Sequence, residues 1–138
     1  ENLKEGKHKI KIKVADNYNN LSSKSVVFII GNENLLKISN LMNYPNPFSY
    51  ETTFSFDNDE FEQPLNVILE IYDLRGNLVY EFNKVYEFSP KKVDDIVWNG
   101  KDLNNYSLPQ GMYIYKLHVY NLLDDSKIIL HNKLLKKL

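Results

Sequence analysis

The side chains that could do chemistry are few. The chain has no cysteine, which removes disulfides, thiolate metal sites and thiol nucleophiles. Its three histidines, His8, His118 and His131, fall in three separate strand-like segments. No pair has the spacing that puts two imidazoles on one helix face, and H-E-x-x-H is absent. A Ser/His/Asp set can assemble from distant positions, but no G-x-S-x-G elbow occurs. Two acidic clusters remain, Asp57 with Asp59 and Glu60, and Asp94 with Asp95. Calcium takes several converging carboxylates from a flexible loop, and neither cluster follows the EF-hand pattern. Both read as solvated loop acids. The residues predict a segment with no catalytic centre, no metal and no cofactor.

What is left is binding. Trp98 offers either a stacking platform for a sugar or a core residue at a strand end. Tyr113 and Tyr115 alternate with Met112, Ile114 and Lys116, so the tyrosines share one face, either core or partner surface. The chain closes on "KLLKKL", Lys133, Leu134, Leu135, Lys136, Lys137 and Leu138. A last strand with an open edge is a ready-made docking element; the alternative is a frayed basic end.

These residues need a scaffold, and the pattern of the chain says which. Seventeen Lys and Arg stand against eighteen Asp and Glu, without the basic surplus that a nucleic-acid binder needs. No apolar run approaches the 18 or so residues of a spanning helix. No signal peptide precedes Glu1, so the chain is expected to be a piece of a longer or processed protein. "KHKIKIKV" alternates strictly, with Lys7, Lys9, Lys11 and Lys13 on one side. "DNYNN" then turns the chain into the apolar run "SVVFII", giving a hairpin. "GNEN" at 31–34 is the expected boundary. Residues 1–31 are thus expected to be the last strands of a preceding β-domain.

Beyond it, "LLKIS" is expected to lead in, and "NYPNPF" holds Pro45 and Pro47, which fix φ and remove two donors, and is expected to be an extended lead-in. "TTFSF" puts Phe54 and Phe56 on one face. "LNVILEIYD" buries Val67, Leu69 and Ile71. "LRGN" turns through Gly76 into "LVYEF". A long connection, a short strand ending in Trp98, a loop from Asn99 to Gly111, and two final strands follow. About seven short strands at this spacing, without helical periodicity, indicate an all-β antiparallel sandwich over residues 38–138.

In their order and spacing, "NYPNPF", "TTFSF", "VILEIYDLRGNLV" and "WNGKDLNNYSLPQGMYIYKL" resemble the C-terminal sorting domains of the bacterial type IX secretion system, and a related immunoglobulin-like module of flagellar hook-capping proteins. The structural motif residues of that pattern are Pro45, Pro47, Phe48, Gly76, Trp98, Gly100, Asp102, Gly111 and Tyr113. Asn105 stands where members usually carry Gly, and Asn99 where Asp is frequent. The upstream segment, through Gly6, His8, Lys13, Asp16, Asn19, Asn20 and Ser22, is similar to the strand pair that precedes this domain in PorU-like sortases.

The resemblance implies an immunoglobulin-like fold and a non-catalytic export and attachment module. Any cysteine-peptidase domain would lie upstream. It also implies surface location after passage through the periplasm, and docking of the C-terminal end on a PorV-like outer-membrane barrel, with other attachment-complex subunits as further partners. Two rival readings are a cleavable sorting domain of a secreted enzyme or adhesin, and, from the aromatics alone, a carbohydrate-binding module.

Overall fold

A computed structural model of the chain describes residues 6–15, 21–30 and 36–138. Its regular elements are all strands: β1 (Gly6–Ala15), β2 (Leu21–Ile30), β3 (Ile38–Tyr44), β4 (Thr52–Asn58), β5 (Leu65–Tyr72), β6 (Leu78–Tyr86), β7 (Lys92–Trp98), β8 (Gly111–Asn121) and β9 (Lys127–Lys136). The chain divides into two compact units, Glu1–Leu35 and Leu36–Leu138. In the first, β1 and β2 pair antiparallel from Gly6 opposite Ile30 to Ala15 opposite Leu21. Ile10 and Ile12 stay about half exposed. The expected turn at 16–20 and boundary at 31–34 lie outside the described residues.

The second unit is a seven-stranded antiparallel sandwich. One sheet runs β3-β4-β7 and the other β6-β5-β8-β9. Strict alternation builds it, because successive side chains of a strand point to opposite faces. Phe54 and Phe56 on β4 turn inward, as do Leu65, Val67, Leu69 and Ile71 on β5. They meet Tyr113, Tyr115, Leu117 and Val119 of β8 and Val93, Ile96 and Trp98 of β7 in one core. The tyrosine face of β8 is therefore core, and Met112 and Ile114 look outward.

Two sequence expectations are corrected. "LLKIS" is not a lead-in: it opens β3, which pairs with β4 and buries Leu36 and Ile38. Its alternation is broken by a register shift between Ser39 and Met42, where Asn40 has φ 53°. The long connection before Trp98 is also mostly strand. β6 runs on to Tyr86 and β7 starts at Lys92, and Lys84 and Tyr86 of β6 both donate hydrogen bonds to Asp95 of β7. That contact ties the two sheets together along one side.

Candidate functional site

On the opposite side the sheets are joined by the segment "NPF". Pro45 and Pro47 follow cis peptide bonds. The "NYPNPF" stretch is not an extended lead-in into the sandwich, as its prolines suggested. Asn43 and Tyr44 end β3, and the rest opens the connection from β3 to β4 and reaches across to β9. Its prolines have no N–H to give, so other groups make the bonds. The Asn46 carboxamide accepts from Leu135 N–H at 3.0 Å and donates to the Lys133 carbonyl at 3.2 Å. Phe48 N–H donates to Leu135 C=O at 3.0 Å, and Lys137 N–H donates to Phe48 C=O at 2.8 Å. Phe48 and Lys136 form a parallel bridge. A side chain and one residue of backbone thus occupy the outer edge of β9 from Lys133 to Lys137.

Beneath this clamp the motif residues converge. The Phe48 ring is fully buried and sits 5.5 Å from Trp98, centre to centre. Trp98 also meets Tyr80 at 5.8 Å and Tyr113 edge-on at 6.1 Å. It is 1% exposed and its indole N–H donates to the Lys101 carbonyl. Trp98 is a core residue, so no stacking platform for a sugar exists there. Gly100 has φ +71°, and a Cβ on it would lie 2.6 Å from Lys136 Cε and 3.2 Å from the Phe48 ring. The W-N-G turn therefore needs glycine for its backbone, while the close Lys136 stem is flexible enough to move.

The loop after Gly100 is shaped by Asp102, whose carboxylate accepts from the backbone N–H groups of Asn104 and Tyr106. Asn105 takes the left-handed conformation, φ 67°, in which asparagine is the least strained substitute for glycine. The Tyr113 hydroxyl donates to the Pro109 carbonyl at 2.8 Å and fixes the entry to β8 at Gly111. Gly76, φ +86°, turns the β5–β6 hairpin around Asp73. Pro45, Pro47, Phe48, Trp98, Gly100, Asp102, Gly111 and Tyr113 thus all belong to one pole of the sandwich, around the C-terminal strand, and Gly76 sits at the hairpin end of β5.

The tail is not uniformly available. Leu134 points into the core and is 1% exposed, so among the six tail residues it has no outward side chain. Nor is the edge at Lys133–Lys137 open, since Asn46 and Phe48 already pair with it. Lys133, Leu135, Lys137 and Leu138 present side chains outward, and the Lys136 stem lies over Gly100. Sequence reasoning missed Asn46. The only available signal was its position between two prolines, where a polar side chain is the one remaining donor.

The outward face of the four-stranded sheet carries a titratable cluster, beside the Lys84–Tyr86–Asp95 contact between the sheets. Tyr72 donates to Glu70, His118 Nε2 lies 2.8 Å from the same carboxylate, and Lys116 stands over the Tyr72 ring. Partial burial pushes the Glu70 pKa up, but the bonds from Tyr72 and His118 and the charge of Lys116 outweigh it and hold the carboxyl below its usual value. The two acidic clusters do not converge: Asp57 accepts from Asn40, Asp59 from the Lys37 backbone, and Asp95 from Lys84 and Tyr86. Among the described residues no three His, Asp or Glu side chains are grouped to hold a metal ion.

The seven strands and the clamped C-terminal strand define the class, an immunoglobulin-like sandwich. Residues 42–131 match the secretion system C-terminal sorting domain, and the chain belongs to that family. Its fold is similar to that of dimeric latent PorU from Porphyromonas gingivalis, TM-score 0.60 at 22% identity, over 97% of this chain and 12% of that one. A β-glucuronidase from Parabacteroides merdae gives TM-score 0.48 at 12% identity, over 84% of this chain and 14% of that one. No curated protein matches. The chain spans about an eighth of the length of the PorU chain it resembles.

Proposed function

We propose that this domain is the export and surface-attachment module of a PorU-like sortase, and that it docks on a PorV-like outer-membrane barrel through its C-terminal pole. Membership of the sorting-domain family supports export by the type IX route. The observation that carries the docking reading is the clamp. Phe48, Trp98 and Gly100 hold the tail in one fixed posture, with Lys133, Leu135, Lys137 and Leu138 outward. A tail held by its backbone and displayed by its side chains is preorganised for a partner, which saves ordering entropy on binding. Catalysis, in this reading, belongs to other parts of the protein.

The test is co-purification of the barrel with the chain and with a Lys133→Glu/Lys137→Glu variant. The wild type is expected to retain the barrel and the variant to lose most of it while melting normally. Equal retention would overturn the docking role of the tail. The family match fits equally a cleaved sorting domain of a secreted cargo; the size of the mature protein at the cell surface, with or without this domain, separates the two.

A further inference from the structure

The outer face of the four-stranded sheet should be polar if it met only water. At the tail's pole it is not. Leu78, Tyr72, Ile114 and Lys133 stand directly opposite one another across β6, β5, β8 and β9, and Met112 opposite Leu135 forms the next row. Leu78, Met112, Ile114 and Leu135 are 38–42% exposed, and Leu74 beside them is more so. This is an apolar band crossing the sheet, where a solvated sheet would alternate with polar residues. The row below it is charged, running Glu81, Glu70, Lys116, His131.

The electrostatics of the band are lopsided. Beside the band, residues 131–138 contain Lys133, Lys136 and Lys137 and no Asp or Glu. On the neighbouring strands Glu70 is already engaged by Tyr72 and His118, and Glu81 lies away on β6. The β9 end of the band is therefore cationic and the middle apolar. The backbone edge beside it is taken by Asn46 and Phe48 from Lys133 to Lys137, so strand addition there would have to expel the clamp. The side-chain face needs no such displacement.

We infer that this band, Tyr72, Leu78, Met112, Ile114 and Leu135 with Lys133 at its border, is the surface that meets the partner, and that its occupant is a polypeptide segment whose apolar side chains lie over Met112 and Ile114 and whose carboxylates reach Lys133 and Lys137. This rests on the docking reading above and specifies its surface. A flat sheet face, with its aliphatic side chains set among the pleats, suits another protein surface better than a bilayer, which binds protruding apolar wedges or a helix lying in the interface.

The experiment is titration of the 138-residue chain against the purified barrel, with Met112→Glu, Ile114→Glu and Lys133→Glu variants and a Phe88→Glu control on an exposed site at the other end of the sandwich. Thermal melts of each check the fold. Anionic lipid vesicles without the barrel form a separate arm. Met112→Glu and Ile114→Glu should each weaken barrel binding at least tenfold with little change in melting. Lys133→Glu should weaken it and flatten its salt dependence, since screening acts on the charged contacts. The control should bind as the wild type. Wild-type binding that all three face variants share overturns this inference and leaves the docking reading standing. Absence of wild-type binding overturns both. Vesicle binding lost on the same face variants, with barrel binding intact, assigns the band to lipid and overturns the polypeptide occupant.

Discussion

Asn46 stands in for a strand residue against Leu135. Its carboxamide oxygen takes the Leu135 N–H and its carboxamide nitrogen serves the Lys133 carbonyl, 3.0 and 3.2 Å away, across 89 and 87 positions of sequence. Asn46→Asp puts an acceptor against the Lys133 carbonyl and should destabilise the domain by about 1–3 kcal/mol. Urea denaturation measures it, with Asn46→Gln as a length control expected to lose less than half as much.

Removal of the tail should damage the fold, contrary to what its terminal position suggests. Leu134 is fully buried and the tail backbone closes the clamp. Leu134→Ala alone should cost about 2–5 kcal/mol. Deletion of Lys133–Leu138 should cost more, and lower the melting temperature further, whereas a Leu138→Ala change on the exposed end should be silent.

Trp98→Ala should cost about 3–5 kcal/mol, the usual range for a buried large aromatic. Trp98→Phe keeps ring contact with Phe48 and Tyr113 but loses the indole bond to Lys101, a smaller loss of about 1–2 kcal/mol. A melting temperature unmoved by Trp98→Ala would be incompatible with the packing described.

Gly100→Ala meets two obstacles, a positive φ and the Lys136 stem 2.6 Å from the new Cβ. The lysine can swing away, so the backbone term dominates, about 1–2 kcal/mol. Combining it with Lys136→Ala in a double-mutant cycle should recover only a small coupling, about 0.5 kcal/mol or less. A large recovery would make the contact, rather than φ, the reason for glycine.

Two pH limits follow from named groups. In Asp95, partial burial raises the pKa, but the bonds from Lys84 and Tyr86 outweigh it and leave it lowered, as in Glu70. A carboxyl lowered in the folded state contributes stability that is present above its unfolded pKa and lost as pH falls through the folded value. The urea midpoint should hold near neutrality and drop below about pH 4, less steeply in Asp95→Asn. At the alkaline limit, burial pushes Tyr115 up to about 12. Its contribution is intact below the free phenol value and lost as pH rises through the folded one. Tyr86, buried and bonded to Asp95, is pushed up further still, so absorbance of phenolate should show two tyrosines ionising late, and Tyr115→Phe should remove one of the two.

Much of the sandwich is legible in the chain. β4, β5 and β8 alternate so strictly that Phe54, Phe56, Val67, Leu69 and Ile71 can be placed inward before any coordinates. The left-handed turns at Gly76 and Asn105 are equally local. β3 is not, because the irregularity around Asn40 breaks its period and Ser39–Asn40 reads as loop. The clamp is not legible either. Nothing in "NYPNPF" or "KLLKKL" alone says that they touch, and their contact is set by how the two sheets bring distant segments to one edge. That is also why the tail, open on paper, proves to have its backbone occupied and one of its leucines in the core.

The clamp joins positions 46–48 to positions 133–137, nearly the whole length of the sandwich. A contact of that span carries the largest loop-closure cost and forms after local hairpins such as β5–β6. The Phe48 ring keeps Trp98 as a neighbour without β9, but its backbone N–H and C=O find their partners only in Leu135 and Lys137 of the last strand and the residue after it. The latch at the tail's pole is thus a property of the assembled sandwich and of no single segment: its two halves meet only where β8 has already placed β9 at the sheet's edge.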